Sequence, residues 1–134
     1  MHPSISEQLA GLSRVLTDVV EPELNNPYPL DVLNGVVAAL DTLSRSWSDV
    51  PAYLRWDAEA TAAILVRLEL TPPVPPADAL DLAALEAHHA EIRSMLEVAI
   101  PAVFDDSEIH AATVRLFRDR IERFPFKQLA PRRK

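Results

Sequence analysis

The chain contains no cysteine. Disulfides, thiolate nucleophiles and Cys-ligated zinc or iron–sulfur centres are therefore excluded. A cytoplasmic location is expected, since a reducing compartment has no use for disulfides. Glycine is nearly absent, with 2 in 134 residues. Tight hairpin turns depend on glycine for positive φ, so a hairpin-rich β architecture is disfavoured. No apolar run approaches the ~18 residues that a membrane helix needs, and no membrane partner is expected. The stretch from Met1 to Leu9 is polar and interrupted by Pro3, unlike a signal peptide. A P-loop, a dinucleotide glycine motif and a Ser-His-Asp signature are all missing. The sequence therefore leans away from an enzyme, and no cofactor is expected.

What is present favours helices. Apolar residues make up 49% of the chain and charged residues 25%. Alanine and leucine, both strong helix formers, dominate the apolar share. The length suits one domain, expected over residues 1–125, followed by a basic tail over 126–134. The net charge is −7 but is unevenly spread. Residues 1–114 carry 5 basic and 18 acidic side chains, and residues 115–134 carry 8 basic and 2 acidic. An acidic body repels nucleic acid, so no nucleic-acid partner is expected.

Twelve prolines punctuate the chain. Pro22 closes the first periodic segment, and Pro27 and Pro29 mark a turn. Pro51 sits at a third boundary, and Thr71-Pro72-Pro73-Val74-Pro75-Pro76 reads as a stiff crossover. Between these breaks apolar residues recur at steps of three and four. The stripes are Ile5, Leu9, Leu12, Leu16, Val19; then Leu33, Val36, Leu40, Leu43, Trp47; then Leu54, Ala58, Thr61, Leu65, Leu68. A fourth runs Leu82, Leu85, His89, Ile92, Leu96, Ala99, Val103, with Pro101 expected to kink or end it. A fifth runs Ile109, Thr113, Leu116, Arg120, Phe124. Ser4 or Ser6 suits the first N-cap, Ser48 or Asp49 the third, and Asp105 with Glu108 forms a capping box for the fifth. The fold class expected is all-α: a four- to five-helix bundle, mostly up-and-down, with a Pro-rich crossover near residues 71–77.

Candidate sites each have a plain structural reading. Glu86 lies three positions before His89, half of the Glu-x-x-His pattern of di-metal carboxylate bundles. The second half is missing, because Ser107 precedes His110 at that spacing, so no metal site is expected. His89 on an apolar stripe reads as a core or interface histidine. Trp47, Tyr53 and Trp56 cluster near the second loop and read as closure of a core end, or as interface anchors. With His89 and Glu86 they would line a small-molecule pocket inside the bundle, if one exists. Asp57, Glu59 and Glu69 near Arg55 and Arg67 read as surface ion pairs, and Asp41 with Arg45 as an i, i+4 pair. In the basic C-terminal segment Arg118, Arg123, Lys127, Arg132 and Arg133 are the candidates for a protein partner's acidic surface; the bland reading is complementation of a helix dipole.

The stretch from Leu12 to Leu43, containing Val19-Val20-Glu21-Pro22-Glu23-Leu24 and then Asp31 onward, resembles small bacterial all-helical proteins of unknown function. Those proteins occur beside aminoglycoside-phosphotransferase-like kinases and acyl-CoA dehydrogenases. The resemblance covers about a quarter of the chain. It implies an accessory role in acyl-CoA or small-molecule catabolism and transfers no site residue. The function expected is a non-enzymatic, protein-interacting helical bundle, with a homodimer as one form. The alternative is a small-molecule binder or enzyme with its pocket around His89.

Overall fold

The computed structural model describes residues 4–126, which are mostly helical, with no strand among them. The five α-helices are α1 (Ile5–Val15), α2 (Pro27–Ser46), α3 (Val50–Arg67), α4 (Leu82–Val103) and α5 (Ser107–Arg123). The chain divides into two compact units. One holds the residues up to Ser48 with the segment that begins at Pro125; the other is Asp49–Phe124.

The first unit is a helical hairpin. Ser4 caps α1: its hydroxyl accepts from the Glu7 amide, and the Glu7 carboxylate accepts from the Ser4 amide, a complete capping box. The helix continues past Val15 as a π turn over Leu16–Val20 and a 3-10 turn over Glu21–Glu23 that contains Pro22. Pro27 and Pro29 do not form a separate turn. They sit in the first turn of α2, behind the N-cap Asn26, where a missing amide hydrogen leaves no bond unmade. The two helices run antiparallel. The Ser13 hydroxyl donates to Asp41 at 2.7 Å and the Ser44 hydroxyl to the Ser6 carbonyl at 3.1 Å. Asp41 thus serves the hairpin register.

The second unit is a three-helix bundle around Ala58, Ile64, Leu65, Ile92, Leu96, Val103, Ile109 and Leu116. The stripes read for the last three helices supply these residues, apart from Ile64. Helices α3 and α4 run in the same direction. Leu54 and Leu85 flank one slot near their starts, and Leu68 and Val98 another near their ends. A parallel neighbour obliges the chain to travel back along the helix. Eighteen residues of α3 at 1.5 Å each are about 27 Å. A polyproline-like strand at ~3.1 Å per residue covers that in about nine residues, which accounts for the Pro-rich crossover between Arg67 and Leu82. Helix α5 returns antiparallel, with Arg67 beside Glu108 at one end and Tyr53 against Phe124 at the other.

Two local expectations are corrected. Pro101 lies inside α4, which runs on to Val103 before it ends. The cap of α5 is Asp106, whose carboxylate accepts from the Glu108 and Ile109 amides, and not Asp105. The end of α3 carries strain. Leu70 donates to the Leu65 carbonyl and Glu69 to the Val66 carbonyl, a Schellman closure that places Glu69 at φ 62°. This left-handed position favours glycine over a residue with a Cβ. Glu69→Gly is expected to raise the unfolding free energy by about 0.5–1 kcal/mol, net of the freedom glycine adds to the unfolded chain. Urea unfolding with an unchanged slope and a higher midpoint is the readout. A lower midpoint would mean that the Glu69 side chain contributes more than the backbone strain removes.

Candidate functional site

The polar centre of the three-helix unit is Asp57. Its side chain is fully buried, although in sequence it reads as half of a surface pair. That reading fails because Asp57 lies four positions before Thr61, on the inward flank of the α3 stripe. Both of its oxygens are engaged. Oδ2 is 2.6 Å from His89 Nε2 on α4, and Oδ1 accepts from Arg120 Nε on α5 at 2.5 Å. Arg120 also donates through Nη2 to the Thr61 hydroxyl at 2.7 Å. The side chains of His89 and Arg120 are themselves only 13% and 11% exposed. One polar group from each helix thus meets at a single carboxylate.

Burial alone would push the Asp57 carboxyl above its ordinary value. The hydrogen bonds from His89 and Arg120, together with the Arg120 charge, outweigh it and hold Asp57 below the usual carboxylate range. Tyr53 packs over the same centre, with ring centroids 6.4 Å from His89, 5.9 Å from Trp56 and 5.8 Å from Phe124. Burial and then the Asp57 charge raise the Tyr53 hydroxyl above its ordinary value. Trp56 is covered on one face by Arg123, whose guanidinium carbon lies 4.4 Å from the ring centroid.

The structure therefore brings His89, Tyr53 and Trp56 together, as the sequence pattern suggests, but around a carboxylate that the pattern missed. Glu86 is exposed and takes no part. Trp47 belongs to the hairpin unit, at the end of α2. Of the basic residues considered for a partner, Arg118 is exposed and Arg123 lies against Trp56. Lys127, Arg132 and Arg133 lie outside the described residues. Among the described residues no three His, Asp or Glu side chains are grouped as a metal would require, and no helix is long and apolar enough to cross a membrane.

Each oxygen of the Asp57 carboxylate is engaged by a donor from a different helix, one on α4 and one on α5. Its chemistry here is to hold three helices. Comparison with protein-family models, with curated proteins and with solved structures finds no match.

Removing one partner of a buried ion pair strands the other. Asp57→Asn leaves the Arg120 charge without its counter-ion, and a loss of about 3–5 kcal/mol is expected in chemical unfolding. The pH dependence has a definite sign. The folded-state pKa is depressed, so the Asp57 contribution is complete above the unfolded value of about 3.9 and is lost as pH falls through the lower folded value. Wild-type stability should drop as pH falls below about 4, with a shallower slope in Asp57→Asn. Parallel curves for the two proteins would assign the acid sensitivity to other carboxylates.

Proposed function

We propose that the chain is a non-enzymatic interaction module that associates with a second copy of itself through the hairpin of α1 and α2. The observation that carries this reading is the lack of a core in that hairpin. Its helices bury only Ser13, Leu33 and Thr42, two of them polar, while many of its large apolar side chains stay exposed. Helices need an apolar face covered to be stable in water.

Those exposed residues share one face. Leu12 and Ile5 precede the inward-facing Ser13 and Ser6 by one position, and Val32 and Val36 stand in the same relation to Leu33 and Val37. In an antiparallel pair, the same angular offset on both helices points to the same side. Val19 extends the face. Leu12 is 55% and Val19 62% exposed. No charged side chain lies in the arc made by Ile5, Gln8, Leu9, Leu12, Leu16 and Val19, or in the facing arc of Val32, Val36, Ala39 and Leu43. A two-fold pairing therefore meets no like charge at its centre. A specific interface buries about 1,000 Å² or more in total, and Ile5, Leu12, Val19, Val32 and Val36, each at least 45% exposed, are the side chains that supply it in this reading. Two hairpins paired in this way make a four-helix layer.

Under this reading the protein has an accessory role, of the kind that the resemblance of Leu12–Leu43 implies for acyl-CoA or small-molecule catabolism. A ligand site centred on His89 has less support, since Asp57 engages that imidazole.

Native mass spectrometry and light scattering at micromolar concentration test the reading. A dimer is expected for the wild type and a folded monomer for Leu12→Glu and for Val36→Glu, because a carboxylate at the centre of an apolar face must be desolvated to pair. A wild-type monomer, or a dimer that both variants leave intact, would overturn it.

A further inference from the structure

The Pro-rich crossover encloses a slot of about 290 Å³ against the first half of α3 and α4. Its inner wall is Leu54, Ala58 and Ala62 of α3 with Leu85 and Ile92 of α4. Its outer wall is built by Pro72, Pro73, Pro75 and Pro76. Proline side chains on a polyproline-like backbone have little freedom to lose, so such a wall is set before anything enters.

One polar side chain stands out in this lining. His88, next in sequence to the Asp57-bound His89, is only 9% exposed and forms no hydrogen bond to any described residue. Every fully buried side-chain nitrogen or oxygen among the described residues has a partner. The His88 ring nitrogens are therefore not sealed in protein, and His88 is among the residues that line the slot. An imidazole on an otherwise apolar wall offers one directed hydrogen bond to a molecule seated beside it, a contact that a wholly apolar molecule lacks. The charges at the slot, Arg55 and Glu59, are of opposite sign and four positions apart on α3, so the lining has no net charge to select an ion.

We propose that this slot binds a small, neutral, largely apolar molecule that carries one hydrogen-bonding group, with His88 as the residue that recognises the group. The volume equals about ten waters at roughly 30 Å³ each, which suits a fused bicyclic molecule of about ten non-hydrogen atoms. The slot lies within the three-helix unit.

The test is an NMR titration of the full chain with 2-naphthol and, separately, with naphthalene. These two probes match in shape and differ in one hydroxyl group. Saturable one-to-one binding of 2-naphthol is expected, with amide shifts at Ala58, Ala62, Ala79 and His88. It should be about tenfold tighter than naphthalene, the factor that a hydrogen bond to a buried group confers. In His88→Leu the preference for 2-naphthol should be lost or reversed, because its hydroxyl then enters an apolar slot without a partner. In Ala79→Trp, an exposed position at the slot, both should lose binding, so the proposal stays testable even if His88→Leu fails to fold. The proposal is overturned by the absence of saturable binding to the wild type up to about 1 mM, a range that covers weak ligands. It is overturned equally by a hydroxyl preference that survives in His88→Leu, or by binding that survives in Ala79→Trp.

Discussion

The three-helix unit depends on how one carboxylate is kept in the absence of water. Moving an ion from water into protein costs several kcal/mol even after relaxation, and the pairing that offsets it must be close and well directed. Asp57 meets that condition only with both His89 and Arg120 in place. The donors come from two other helices, so α4 and α5 cannot slide along α3 without leaving Asp57 exposed to an apolar surround. A slip of one turn moves a helix by about 5.4 Å, well beyond hydrogen-bond reach. Leucine and alanine faces tolerate such slips, because one apolar contact resembles the next. The polar knot therefore selects one register among several that the apolar core would accept, while its own net contribution to stability is small.

That register explains the rest of the unit. With His89 opposite Asp57, α4 lies parallel to α3, and a parallel neighbour needs a connection as long as the helix itself. The prolines of the crossover supply the length with an extended backbone that asks for no hydrogen-bonded partner strand. The same prolines then face Ala58 and Ala62, whose small side chains leave the slot open. His88 is brought to that slot by being one residue, or 100° of helix, away from His89. The slot is thus a consequence of the knot and the crossover acting together. At the other side of His89, Tyr53, Trp56 and Phe124 cover the knot with rings.

The stripes of α3, α4 and α5 were legible because the core of the second unit is made by those faces: Leu65, Ile92, Leu96 and Leu116 fall where periodicity puts them. His89 and Arg120 were legible as stripe members too, yet each was a polar residue in an apolar row, and their common partner was not seen. Asp57 has an ordinary reading as one of several carboxylates near arginines, and only tertiary distance separates it from Glu59. A sharper signal was present: three consecutive helices each carry a polar residue in or beside an apolar stripe, with one acid and one base among them. The ends of elements were less legible. Asp105 and Asp106 are adjacent and both suit a cap, and the choice between them depends on which backbone leaves the helix first. Pro27 and Pro29 suit a turn and a first helical turn equally well.

The hairpin obeys the opposite logic. Its register is held by hydrogen bonds, Ser13 to Asp41 and Ser44 to the Ser6 carbonyl, where a core would place leucines. Small polar residues at the contact bring the helices close but leave their larger neighbours turned aside. The stripe Ile5, Leu12, Val19 is regular in sequence because it is one face of a helix; periodicity reports that a face exists and is silent about what covers it. Apolar side chains spared from packing inside the hairpin are the ones free to pack outside it. A chain that spends polar residues on its internal contact and keeps an uncharged apolar face outward has the chemistry of half a bundle, and it is on this ground that pairing with a second copy is proposed.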